Sequence, residues 1–171
     1  MYKNFPKPEE YSEYNELYVK DLHDLSLRKA LRLKEKVTKR ILHGVPKQKW
    51  DFAYADGKWT VKEVLQHIID SERVFMYRAL HVLRNDPNSY FSFDENAYAD
   101  EAKNINRSSK SLLKEYIALT KSTYHFFENL EEKQLQKSGE LIGKKATIRA
   151  LGYILSGHAI HHCKVIKERY L

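Results

Sequence analysis

The C-terminal run from Ala150 to Leu171 constrains this chain most. It holds no proline, and Leu151, Ile154, Leu155, Val165 and Ile166 share one face of a helical wheel. That is the pattern of a core-facing helix. His158 falls in the middle of the apolar face, and His162 lies one turn further on the same side. An imidazole pair at i and i+4 is an arrangement by which a helix grips one metal ion through two ring nitrogens. Buried without partners, each ring would cost about 1–3 kcal/mol. Ligation removes that cost, and so would hydrogen bonds to core carbonyls or tyrosines; the residues alone leave both readings open.

Three more stretches carry the helical period. Four prolines and six glycines in 171 residues leave room for long helices, and the length suits one domain, 1–171, with a real core. Residues 1–20, with Pro6, Pro8, Tyr11, Tyr14 and Tyr18, read as an irregular or weakly helical lead-in that packs its rings on the domain. From Asp21 to about Leu42 the residues Leu22, Ala30, Leu33, Val37 and Ile41 share a face. Beside them Arg28, Arg32, Lys36 and Lys39 form a basic stripe that reads as solvated surface. Gly44-Val45-Pro46 ends this first helix.

The second helix opens on a capping box, with Thr60 as N-cap, Glu63 at N3, and Trp59 and Val64 as the hydrophobic staple. It should run to about Asn85, stopped by Asp86-Pro87. Its apolar arc holds Val61, Leu65, Ile68, Phe75, Ala79 and Leu83, with His67 at the edge. Residues 86–107, rich in aromatics and acids, read as a long binding loop. Ser108 or Ser109 caps a third helix to about Leu130, and a polar stretch from Glu131 to Lys145 contains two glycines. Thr147 then caps the last helix, which ends at Leu171. The expected fold is all-α, a four-helix bundle.

Bundle metal sites draw ligands from facing helices. His67 is the best third donor, because it leans inward near the start of a strongly capped helix. His23, His43, His81 and His125 lack a second donor nearby in sequence and read as surface or packing residues. His161, one position off the face of His158, suits a role behind the ligands, orienting one of them or a bound anion. Cys163 is the lone cysteine, which excludes an internal disulfide and makes a reducing cytoplasm the simple reading. Met1-Tyr2-Lys3-Asn4-Phe5-Pro6 lacks the apolar segment of a secretory signal, and no apolar run is long enough for a membrane span. The net charge of +7 favours an anionic partner. No recognition motif accompanies the basic stripe, so a nucleic-acid-binding reading ranks low.

The stretch from Gly57 to Leu80, which contains Trp59-Thr60-Val61-Lys62-Glu63-Val64-Leu65-Gln66-His67, resembles the second-helix signature of the DinB-like (YfiT-like) superfamily. The segments Phe93–Tyr98 and Arg149–Ile154, and the terminal Gly157-His158…His161-His162…Glu168-Arg169-Tyr170-Leu171, are similar to the same family in order and spacing. The resemblance implies an up-down-down-up four-helix bundle with a divalent metal held by His67, His158 and His162, the three histidines that the wheel selects. Many relatives carry Glu after the first histidine of the last motif, where this chain has Ala159. That position points off the metal face, so ligation is expected to survive.

Three imidazoles leave a coordination position open, the pattern of catalytic rather than structural sites. Such a position holds water with its pKa lowered towards ~7, or an anionic thiolate. Zinc and nickel both accept imidazole. The family resemblance implies in the first place a thiol-dependent S-transferase using a low-molecular-weight thiol, with a metal-dependent hydrolase as the alternative, acting on a small molecule and often as a homodimer. A DNA-associated role or a metal-stabilised module without turnover ranks below these. Arg78, three turns on from His67, and Asp94 and Tyr98 in the acidic-aromatic loop are the candidate substrate contacts.

Overall fold

Each long helix begins where a hydroxyl side chain meets an otherwise unpaired backbone amide. Ser26, Thr60, Ser108 and Thr147 hold extended backbone, and each side chain accepts from the N–H three residues on. At Thr60 the box is complete, because Glu63 also accepts from the Thr60 N–H at 2.6 Å. The computed structural model describes residues 4–88, 92–103, 106–141 and 144–171. Small parts of the expected lead-in, binding loop and polar stretch therefore lie outside the described residues.

Among the described residues the order begins with short 3-10 turns and the single turn α1 (Glu16–Val19). The elements α2 (Leu27–His43), α3 (Val61–Leu83), α4 (Glu95–Lys103), α5 (Ser109–Glu128) and α6 (Glu132–Leu135) follow. A hairpin of β1 (Ser138–Leu141) and β2 (Lys144–Thr147) then leads into α7 (Ile148–Arg169). The long elements α2, α3, α5 and α7 form the bundle. Their directions follow from who packs with whom. At one end Leu42 of α2, Val64 and Ile68 of α3, Leu112 and Tyr116 of α5, and Ile166 of α7 share a cluster. At the other end Leu31, Ala79, Leu83, Phe127, Ile148 and Leu151 share another. Hence α2 and α7 run one way, α3 and α5 the other, and the topology is up-down-down-up. The parallel α3 and α5 need a long crossover, which residues 84–108 supply.

Three sequence expectations are corrected. The binding loop is interrupted by α4. Asp94 starts that helix by accepting from the Asn96 and Ala97 N–H groups, and Ala99 anchors it by burial. The polar stretch folds into α6 and the hairpin, a segment too short and too charged to show a period. The first helix starts at Leu27, not Asp21, and its buried stripe is Ala30, Leu31, Lys34, Thr38 and Leu42. Leu33, Val37 and Ile41 are half-buried. The helix is turned by one residue because Lys34 points into the core, where its Nζ meets Glu72 Oε1 at 2.6 Å and Thr123 donates to the same oxygen at 2.7 Å. The basic stripe is surface, with Arg28 bonded to the Glu128 carbonyl and Arg32 to the Tyr124 hydroxyl.

The N-terminal segment is fastened to α7 at two points. Glu10 accepts from Arg149 Nη2 at 2.7 Å and from the Thr147 hydroxyl at 2.7 Å. Further on, the backbone of Tyr18 lies against Gly157, where an added Cβ would sit 1.7 Å from the Tyr18 carbonyl oxygen. Only a residue without a side chain permits that approach. Among the described residues no helix is long and apolar enough to cross a membrane.

Candidate metal centre

The antiparallel crossing of α3 and α7 sets His67 opposite His158 and His162. His67 Nε2 lies 3.0 Å from His158 Nε2, and His162 Nε2 lies 3.1 Å from the same atom. The three rings can offer one ligand atom each with all three atoms within 4.8 Å of one another. Nitrogens at this separation either share protons or face a common cation. Three nitrogens bonded to one tetrahedral ion at ~2.0–2.1 Å would lie about 3.3 Å apart, close to the two short separations.

Aromatic rings hold the imidazoles from outside. Tyr18 meets His158 edge-on at 5.2 Å between centroids and His161 at 5.7 Å. Trp59 packs on His67 at 4.8 Å, and Phe75 meets His158 at 5.7 Å. Burial disfavours the charged form of each ring. It pushes His67 down to about 4, against a weak opposing pull from Glu95. Burial, then the neighbouring His67 and His161, takes His162 down to about 3. His158 is lowered well below its ordinary value by burial first and by the other three imidazoles after it. All three are therefore neutral at pH 7 and keep lone pairs for a cation, which is the donor set that zinc and nickel accept.

The three rings border a cavity of about 450 Å³. Tyr18, Trp59, Phe75, Leu151 and Ile154 give it apolar walls, while Ser71, Arg78, Glu95, Lys144 and Lys145 add polar groups. Ser71 is buried, one turn beyond His67, and among the described residues its hydroxyl has no hydrogen-bond partner.

The model of the DinB superfamily matches residues 30–166, which takes in α3, α5 and most of α2 and α7. The chain belongs to the DinB superfamily. Among solved structures, YfiT from Bacillus subtilis, described as a probable metal-dependent hydrolase with an unusual four-helix bundle topology, is similar in fold. The TM-score is 0.69 at 21% identity, over 84% of this chain and 85% of that one. No curated protein matches.

In this DinB-superfamily chain the expected contacts separate. Arg78 lines the cavity. Asp94 is spent on capping α4, and Tyr98 is half exposed and meets Phe93 edge-on at 5.2 Å. Neither borders the cavity, but their neighbours Phe93 and Glu95 do. His161 sits behind His162, between it and Tyr18. Of the remaining histidines, His23, His43 and His125 are exposed and His81 is buried away from the three. Sequence reasoning did not select Tyr18, Ser71, Lys144 or Lys145. A signal for Tyr18 was present in Gly157, a glycine inside a helix, which marks close backbone approach.

Proposed function

We propose that His67, His158 and His162 hold one divalent ion, zinc or nickel, and that the protein is a metal-dependent enzyme acting on a small molecule in the adjoining cavity, in the first place a hydrolase. The observation that carries this reading is the convergence of three neutral imidazole nitrogens from two helices beside that cavity. YfiT, described as a probable metal-dependent hydrolase, points the same way. When bound, the ion supplies Lewis acidity, by which water becomes a nucleophile near neutral pH. The chain does the rest. Tyr18, Trp59 and Phe75 pack against the rings, hold their orientation and give the substrate an apolar wall. The unpaired Ser71 hydroxyl offers a hydrogen bond to a polar atom of the substrate.

A second reading is S-transfer with a low-molecular-weight thiol. Three neutral ligands leave the charge of the ion uncancelled, which favours a thiolate. The sulfur would come from outside, because Cys163 is fully buried and burial pushes its thiol up to about 11, against an opposing bond to Thr38. We extend the proposal to a cytoplasmic homodimer; a monomer mass by light scattering would remove the dimer. The functional test is product release from ester and amide substrates by the metal-loaded protein, with and without added thiol. Turnover without thiol supports the hydrolase. Turnover of a haloarene that consumes free thiol supports the transferase. His158→Ala should abolish either, and activity undiminished in that variant would reject the site.

A further inference from the structure

Charge is unevenly distributed along the cavity. At the histidine end the carboxylate Glu95 lies close enough to act on both His67 and Tyr18. The far end is cationic. Arg78 lies eleven positions beyond His67 on α3, which at the helical rise is about 16 Å along the axis. The hairpin brings Lys144 and Lys145 to the same end, since the adjoining Ala146 packs with Ala79, Val82 and Leu83 of α3. Both lysines are exposed, and among the described residues neither has an ion-pair partner; Lys145 faces Glu140 across the hairpin without bonding to it. Between the two ends the wall is apolar, made by Phe75, Leu151 and Ile154.

We propose that this cavity takes an elongated amphiphile with one oxyanion end, a carboxylate or a phosphate. The oxyanion sits at Lys144 and Lys145, the apolar body lies along Phe75, Leu151 and Ile154, and the opposite end reaches the three histidines. The inference rests on the cavity being the place where the substrate binds, and it names the class of that substrate. A neutral amphiphile would leave Lys144 and Lys145 without a counter-charge, and a compact anion would not span from that end to the histidines.

The test uses two fluorescent probes with the same aromatic body, 8-anilinonaphthalene-1-sulfonate and the uncharged N-phenyl-1-naphthylamine, titrated into the metal-free full chain. The sulfonate should bind about tenfold more tightly at low salt and lose that advantage as salt is raised. In the Lys144→Gln/Lys145→Gln variant the preference should vanish, while the neutral probe binds within about twofold of wild type. Equal binding of the two probes to wild type, or a preference retained in the double variant, would overturn the proposal. Displacement of the sulfonate by 4-phenylbutyrate assigns a carboxylate and displacement by phenyl phosphate assigns a phosphate; displacement by neither also overturns it. Cobalt(II) titration of the same proteins reads the metal site separately. Cobalt bound without a sulfonate preference sinks this inference alone, and a sulfonate preference without cobalt binding sinks the metal reading alone.

Discussion

Two groups of buried polar side chains cross the bundle, and they are built on opposite principles. Lys34 of α2 and Glu72 of α3 form an ion pair inside the protein, and Thr123 of α5 donates to the same Glu72 oxygen. His67, His158 and His162 join α3 and α7 with lone pairs that meet only each other, beside a cavity. Burial acts on both. It lowers the Lys34 ammonium, against the raising pull of Glu72, and it keeps the imidazoles neutral. A group whose charges are matched within the protein is architecture. A group whose donors converge unmatched beside open space is prepared for something from outside.

Breaking the matched group should have the largest effect on folding. Lys34→Met leaves Glu72 buried without its counter-charge, and denaturant unfolding should show a loss of about 3–5 kcal/mol. Lys34→Met combined with Glu72→Leu should recover most of that loss, while cobalt stoichiometry stays unchanged. A double variant as unstable as the single one would show that the pair is not the reason.

The wall of the open group comes next. Gly157→Ala drives a methyl into the Tyr18 backbone and should cost at least ~1–3 kcal/mol. The Tyr18 ring should move off His158, seen as a shift in the His158 ring resonances. Unchanged resonances and stability would mean that α1 is not held as described.

The smallest effect depends on pH. Burial raises the Glu10 carboxyl, but bonds from Arg149, Thr147 and the Lys7 N–H, with the charge of Arg149, outweigh it and hold the group below its ordinary value of 4.5. The unfolded chain therefore takes up this proton first as pH falls. The contribution is complete above ~4.5 and is lost as pH drops through the lower folded value. Glu10→Gln should cost about 1 kcal/mol at pH 7 and should flatten the acid limb of stability below about pH 4.5. An acid limb identical to that of wild type would exclude Glu10 as its source.

The same contrast explains what the sequence disclosed. The histidines were legible because i, i+4 spacing on an apolar face is rare and chemically meaningful, and because Thr60 and Glu63 fixed the phase of α3 well enough to turn His67 inward. Lys34 was not legible. A lysine is read as surface, and its partner Glu72 lies 38 residues away, so no local pattern signals the pair. The wheel consequently chose Leu33, Val37 and Ile41 and missed the true face by one residue. α4 was hidden by the company of Pro87 and a run of aromatics, although Asp94 is an ordinary N-cap. The cationic end of the cavity depends on a hairpin of two four-residue strands that brings Lys144 and Lys145 to α3, and such a placement is tertiary.

The central claim is that the three imidazoles share one cation. Crystals of the full chain grown with zinc, measured on both sides of the zinc absorption edge, test it most directly. The account predicts one anomalous peak at about 2.0–2.1 Å from Nε2 of His67, His158 and His162. A zinc-soaked crystal with no peak there, or with the rings still paired nitrogen to nitrogen and the ion bound elsewhere, would contradict it.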